Sequence, residues 1–387
     1  MLTVPRVEDF SDRLRGPAVT ARVGTALGIC FGICFLTGVW SHFQQTTPGW
    51  LAIPPSPYWL YRVTQGLHVI TGTVAVPLLL VKLWSVYPQF FKRFPLRPSR
   101  TMLVNGLDRF YLLVLVTAAI FQLVTGLLNV VHWYPWSFSF RSTHYAVAWI
   151  AIGALVLHIA VKLPLIRSAL TGPLDDDEPP ANADADPEAS GISRRTLLRT
   201  TWVAAALAFV ATAGQTVPWL RSVSVFAVRS GDGPLGVPIN RTAAEAGVPP
   251  DAGGDAWQLE IGYDGRTTRM SRADLEAMDQ VDEELPIACV EGWSASGVWT
   301  GVPVAAITAA AGAPPGARVF VTSMQTRGAF ATSELPPQFV DDRRTLLALR
   351  LNGADLTLDH GYPCRIIAPN RPGVLQTKWV TKLEVSA

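Results

Sequence analysis

A chain of 387 residues is long enough for two domains, and a formal net charge of +2 gives no electrostatic case for binding nucleic acid. Its cysteines, Cys30, Cys34, Cys289 and Cys364, are too scattered for a disulfide framework, and no solenoid-length repeat occurs. Apolar stretches dominate before about residue 170, whereas after about residue 222 glycine, proline and charge are spread as in a soluble domain.

In chain order, four segments each offer the run of about 20 apolar residues that a hydrocarbon core of roughly 30 Å requires. They are approximately Val23–Trp40, Leu60–Val86, Leu107–Val131 and Tyr145–Ile166. Pro77 lies inside the second, where a helical bundle tolerates a kink. Aromatic residues such as Trp40, Trp50, Trp59, Trp133 and Trp136 gather at the ends on one side, as an interfacial belt does. Basic residues gather on the other side: Arg6, Arg13, Arg15 and Arg22 before the first segment, then Lys92, Arg93, Arg97 and Arg100, then Lys162 and Arg167. The positive-inside rule therefore puts the amino terminus in the cytoplasm. Residues 1–170 are expected to form an all-α transmembrane four-helix domain.

Residues 171–192, with Asp175, Asp176, Asp177 and Glu178 in a row, are expected to be a solvated cytoplasmic linker. Residues 193–220 begin Ser193-Arg194-Arg195-Thr196-Leu197-Leu198 and continue apolar from Trp202 to about Leu220. They resemble a twin-arginine export signal in mid-chain; an ordinary fifth helix with basic residues at its inner end gives the same topology. Ala211-Thr212-Ala213 fits a cleavage site. Cutting there would separate the halves, so a retained anchor is expected. Five crossings would leave residues 221–387 outside, and the twin-arginine route carries proteins folded around a cofactor.

Five of the six histidines lie in the membrane half: His42, His68, His132, His144 and His158. Ionisable groups inside a bilayer are costly and are functional candidates by default. His144 and His158 share one helix face about 21 Å apart, and Gly72 follows His68 on the same face. Histidines facing inward from two helices are what bis-histidine haem ligation requires. The four-helix half resembles the di-haem cytochrome b subunits of membrane formate dehydrogenases and hydrogenases. That resemblance pairs His68 with His144 around an outer haem b. It also departs: helix one begins Ala21-Arg22-Val23-Gly24-Thr25, without the histidine that would pair with His158, so one haem or two remain open. His42 and His132 read as interfacial polar residues, with a quinone site or haem propionates as the alternative. Cys30 and Cys34 read as packing residues.

From Ala256 onward the pattern is short strands and turns. Leu259–Tyr263 alternates like a strand, and Ser271–Ala277 opens a short helix with a serine cap. Cys289 ends a short strand and enters Val290-Glu291-Gly292-Trp293-Ser294, where its sulfur is expected to face a pocket as a soft donor for a transition metal. The segment, with Trp299 and Gly301 downstream, resembles the molybdenum-ligand segment of sulfite-oxidase-fold enzymes. The likeness is greatest to the branch of bacterial periplasmic methionine-sulfoxide reductases. A second stretch agrees, His360-Gly361-Tyr362-Pro363-Cys364-Arg365 followed by Thr377-Lys378-Trp379-Val380. The resemblance spans about residues 232–387 and implies an α+β molybdopterin domain over residues 221–387. It implies Cys289 as thiolate on molybdenum, Glu291 and Trp293 lining the metal pocket, and Arg365 on the cofactor phosphate, for which a guanidinium fork is suited. It further implies cofactor contacts from His360 and Lys378, with Asn240 and Arg241 also in reach, and Cys364 in the core. Sulfite oxidases carry an asparagine and anion-binding arginines after their cysteine. Val290-Glu291-Gly292 stands here instead, and a carboxylate would repel sulfite.

Together the halves imply electron exchange between the quinone pool, through haem b, and an extracytoplasmic substrate at molybdenum, by oxygen-atom transfer. A sulfoxide or N-oxide reductase is the expected class. The same wiring run backwards would be a substrate dehydrogenase. A haem-only conduit and a cofactor-free binding module are the alternatives of other classes.

Overall fold

The computed structural model describes residues 14–91, 100–172, 193–227, 233–254 and 256–386. Arg6, Arg13, Lys92, Arg93, Arg97, the side chain of Arg100, the acidic run from Asp175 to Glu178 and Gly231 lie outside the described residues. The chain divides into two compact units, Met1–Gly38 with Leu67–Thr212, and Val39–Gly66 with Ala213–Ala387.

Among the described residues there are five long helices: α1 (Pro17–Gln45), α2 (Leu60–Val86), α3 (Arg100–Val130), α4 (Phe140–Thr171) and α5 (Arg194–Ala213). All five are long and apolar enough to cross a membrane; the shortest, α5 with 20 residues, spans about 30 Å at 1.5 Å per residue. They mark the chain as a membrane protein. Their exposed residues are large and apolar, including Leu36, Leu80, Phe110 and Val156. A water-soluble bundle would not leave so continuous an apolar surface uncovered.

In the first unit, Val19, Val23, Cys30, Ala75, Leu78, Leu198 and Ala205 from α1, α2 and α5 form one buried cluster, and α3 packs along α4. Arg22 donates to the Ala169 carbonyl (3.2 Å) and the Gly172 carbonyl (3.2 Å), placing a cation on the otherwise unmade carbonyls at the end of α4. α5 stops at Ala213, short of the end of the apolar run at Leu220. There the Gly214 amide turns to donate to Ser224 Oγ (2.7 Å), and Pro218 starts a separate 3-10 turn, Pro218–Val223.

The second unit carries α6 (Ala243–Ala246), α7 (Arg272–Ala277), α8 (Val304–Ala310), α9 (Pro337–Val340) and ten strands. One sheet has the order β2 (Arg266–Ser271), β1 (Gln258–Tyr263), β10 (Val380–Ser386), β5 (Arg318–Ser323), β6 (Thr332–Leu335). Only its β1–β10 pair is parallel. The other has the order β3 (Val281–Ala288), β4 (Ser294–Pro303), β7 (Leu346–Leu351), β8 (Ala354–Asp355), with β9 (Arg365–Ile367) also antiparallel to β7. Ser271 caps α7 in a reciprocal capping box with Asp274.

Strand alternation divides the interior. Leu259, Ile261, Val319, Val321 and Leu383 of the first sheet pack with Val302, Leu347, Leu349 and Ile366 of the second in one core. Leu285, Ile287, Ala295, Trp299, Leu346, Ala348 and Ile367 point the other way, into a second cluster. The second sheet is therefore buried on both faces, and its far face is the floor of the site. Residues Val39–Gly66, which the apolar pattern groups with the membrane domain, pack within this second unit: Ile53 is buried in its main core. Asn370, also buried, anchors the same segment. Its Oδ1 accepts from the Tyr61 amide (2.9 Å), and its Nδ2 donates to the Pro54 carbonyl (2.7 Å).

Candidate functional site

Alternation along β3 carries one residue past the strand end. Leu285, Ile287 and Cys289 share a face, so the Cys289 sulfur lies on the far side of the second sheet, within the second cluster. The chain then reverses tightly. The Cys289 amide donates to the Trp293 carbonyl (2.9 Å), and the Gly292 amide donates back to the Cys289 carbonyl (3.0 Å). Gly292 has φ +102°, a conformation that favours glycine at this position. The Trp293 indole donates to Glu291 Oε2 (3.0 Å), with both side chains buried. An open pocket was the expectation for Cys289. Instead Cys289 is 2% exposed, because the reversal brings Trp293 back into the same buried cluster.

The same face receives the second motif. In β9, Ile366 faces the main core, while Ile367 and Arg365 face the other way; Arg365 pairs with Ala348 in register and lies over the Trp299 ring at 5.1 Å. Arg365 is 4% exposed, and its guanidinium donates to the carbonyls of His360 (2.9 Å) and Gln376 (3.1 Å). Among the described residues its Nε has no partner. Burial pulls the Arg365 pKa down to about 9. His360 is buried and holds the Val237 carbonyl through Nε2 (2.9 Å) and the Thr357 hydroxyl through Nδ1 (2.9 Å). Its pKa is lowered, first by burial, with Arg365 and Lys378 adding to the effect. Lys378 Nζ donates to the carbonyls of Arg241 (2.5 Å) and Asp359 (2.9 Å). Burial, with Arg365 next in importance, brings the Lys378 pKa down to about 7. Gly361 makes this convergence possible. At φ +112°, a Cβ there would sit 3.0 Å from Lys378 Cβ and 3.1 Å from Arg365 Cβ.

The expected cofactor residues thus fall into two parts. His360, Arg365 and Lys378 converge, and the Arg241 backbone joins them. The Arg241 side chain points instead to the Glu245 carbonyl (3.0 Å), and Asn240 is half-buried. Cys364 is fully buried in the main core, and burial raises its thiol pKa. Two buried cationic side chains, Arg365 with its orphaned guanidinium nitrogen and Lys378 beside it, suit an anionic group, because buried positive charge without a counter-charge is costly. The donors fit a phosphate-bearing cofactor. Among the described residues no cluster of three or more His, Cys, Asp or Glu residues could hold a metal, so a metal here would need ligands from outside the protein beside Cys289.

Residues 245–387 match the family described as Oxidoreductase molybdopterin binding domain. Over this stretch the chain carries an oxidoreductase molybdopterin-binding domain. Among its relatives is a protein of Azospira oryzae named as a putative protein-methionine-sulfoxide reductase subunit, YedZ1. It is 32% identical over 121 residues, which are 29% of this chain and 42% of that protein. An uncharacterized oxidoreductase of Bacillus subtilis, YuiH, is 28% identical over 130 residues, 33% of this chain and 64% of that protein. The chain covers under two thirds of the length of either relative. The sulfane dehydrogenase SoxCD of Paracoccus pantotrophus shares 23% identity over 34% of this chain and 38% of that chain, with a TM-score of 0.31.

In the first unit, α2 and α4 bring His68 and His144 together, ring centroids 6.4 Å apart and inclined at 66°. His68 Nδ1 lies 2.9 Å from the Cys34 carbonyl and 3.1 Å from Thr37 Oγ1, and His144 Nδ1 lies 3.0 Å from Thr125 Oγ1. Donation through Nδ1 leaves Nε2 as the basic nitrogen on each ring, the arrangement a metal-binding histidine needs. His158 has the Tyr111 ring as neighbour (6.2 Å), and among the described residues its Nδ1 has no partner. His132 packs on Tyr134 (5.4 Å) and His42 on Phe43 (6.4 Å). Cys34 Sγ contacts Thr71 Oγ1 (3.1 Å), and Cys30 is buried in the α1–α2–α5 cluster, both as packing residues.

Proposed function

We propose that the chain is a membrane-bound oxidoreductase that exchanges electrons between the quinone pool, by way of haem b, and a substrate on the outer side of the membrane. The observation that carries this reading is Arg365, buried over Trp299 of the cluster that holds Cys289, with an orphaned guanidinium nitrogen and with Lys378 and His360 packed around it. Cys289 would bind molybdenum through sulfur, while Arg365, Lys378 and His360 would hold the anionic pterin tail. The bound group supplies two-electron oxygen-atom transfer. The residues of the chain do the rest. Arg365 and Lys378 orient the tail and are in turn relieved of unpaired charge. The Trp293–Glu291 hydrogen bond fixes the Glu291 side chain two residues on from Cys289, and a carboxylate facing the metal would disfavour anions such as sulfite and favour a neutral acceptor. A sulfoxide or N-oxide is the substrate class of this proposal, and the Azospira relative named as a methionine-sulfoxide reductase subunit supports it.

His68 and His144 would hold one haem b, with each Nε2 turned to iron by the acceptor on its Nδ1. His158 has no second histidine ring beside it among the described residues, which favours one haem over two. The twin-arginine character of Arg194-Arg195 and the basic ends of the helices support an outer location for the catalytic domain. Substrate oxidation feeding quinone is the same reading in reverse.

Metal and haem analysis of the purified full chain tests the assignment. Molybdenum with haem supports the enzyme, haem alone reduces the chain to a conduit, and neither leaves a binding module. A screen of sulfoxides and N-oxides with reduced quinone analogues then names the substrate. Failure of every such acceptor, with oxidation of a reduced substrate in its place, would reverse the direction.

A further inference from the structure

The turn that carries Cys289 is gripped from outside its own strands. The Gly292 carbonyl accepts from Thr216 Oγ1 (3.3 Å), and the Ser294 amide donates to the Gln215 carbonyl (2.9 Å). On its other side the Val290 carbonyl accepts from Gln65 Nε2 (2.8 Å), a residue 225 positions earlier in the chain. Gln65 lies in the second turn of α2 and is 5% exposed. Its place is fixed by Tyr61 one turn before it. The Tyr61 amide is bonded to Asn370 Oδ1, and the Tyr61 hydroxyl lies 3.0 Å from Ser41 Oγ.

We infer that Gln65 is a positioning residue for the metal-binding thiolate, acting through the Val290 carbonyl on the Val290–Glu291 peptide, one residue beyond Cys289. The inference rests on Cys289 binding molybdenum, as proposed above. The energetics of the amide distinguish positioning from support of the fold. Gln65 makes one hydrogen bond with Nε2 but leaves its Oε1 buried and without a partner among the described residues. An unmade buried acceptor costs at least as much as one neutral hydrogen bond contributes. An apolar side chain of the same length would therefore stabilise the fold equally well. What that side chain could not do is hold the peptide plane between Val290 and Glu291. Groups that orient a metal ligand from the next layer out affect activity by about 10- to 100-fold when removed.

The experiment is Gln65→Met in the full chain, purified in detergent with its cofactors, with Gln65→Leu as second variant should methionine fail to accumulate. The expected result is molybdenum content and melting temperature equal to the parent, a shifted paramagnetic Mo(V) spectrum, and turnover lowered by about 10-fold or more at unchanged KM. A parental Mo(V) spectrum with parental turnover overturns the inference. So does loss of molybdenum together with a lower melting temperature, which would assign Gln65 to folding. Cys289→Ser separates this from the underlying reading. A serine variant that keeps the parental Mo(V) spectrum removes the Cys289 assignment and the Gln65 inference with it. An altered serine spectrum beside an unaltered Gln65→Met spectrum removes Gln65 alone.

Discussion

Lys378 gives the sharpest test of the cationic cradle, because it is built at a cost to the empty protein. The ammonium is buried, with the Arg241 and Asp359 carbonyls as its hydrogen-bond acceptors and Arg365 as a like charge nearby. Its pKa falls from 10.5 to about 7. Between these values the unfolded chain keeps the proton and the folded chain has released it. Folding therefore releases a proton, and stability rises with pH. One proton corresponds to about 1.4 kcal/mol per pH unit, and because the folded group is half-protonated at pH 7 the gain from pH 7 to pH 9 is roughly 2 kcal/mol. The His360 transition lies below this window and the Arg365 value of about 9 at its upper edge, so Lys378 dominates it. The assay is the melting temperature of cofactor-free full chain in detergent from pH 7 to 9, for the parent and for Lys378→Met. The parent should gain on the variant as pH rises. Restoring the anionic cofactor should flatten the difference, since a phosphate raises the ammonium pKa again. Parallel pH profiles for the two cofactor-free proteins would refute the argument.

Other expectations follow from the same geometry. Cys289→Ser should abolish substrate turnover and leave the haem spectrum unchanged; loss of both signals would merge the two sites into one. His68→Ala or His144→Ala should each remove the reducible haem band in an absorption spectrum, whereas a normal band in either would move the iron to other ligands. Arg365→Met should lose the pterin on gel filtration while the protein stays folded, because the guanidinium is unpaired without an anion; retained cofactor would place the phosphate elsewhere. Asn370→Ala should lower the stability of the second unit by about 2–4 kcal/mol, since it leaves the Tyr61 amide and the Pro54 carbonyl without their buried partner; this is measurable by chemical denaturation.

Much of the site was legible because it is local in sequence. Cys289 and Trp293 sit in one reversal that glycine permits, and Arg365 follows His360 closely enough for one loop and one strand to bring both to the same place. His68 and His144 stood out because imidazoles are rare inside apolar helices. What could not be read was whatever depends on segments far apart. Gln65, Tyr61, Gln215 and Thr216 hold the Cys289 turn and its surroundings, yet each looks like an ordinary polar residue near a helix end. No periodicity or spacing links Gln65 to Val290 across 225 positions. The expected pocket at Cys289 shows the same limit: a strand end predicts exposure, and only the packing of Trp293 decides otherwise.

The order of the amino acids alone determined the five apolar helices and the alternating strands, because bilayer thickness and strand geometry impose periods that a linear pattern must match. Its two motifs, around Cys289 and around His360–Arg365, also singled out the sulfur and the buried guanidinium by their resemblance to a known family. Tertiary structure decided that Val39–Gly66 belongs with the C-terminal unit and that α5 ends at Ala213. It also decided that Lys378 and Arg365 share one buried space. Those outcomes depend on which surfaces exclude water together, and that is a property of the packed chain.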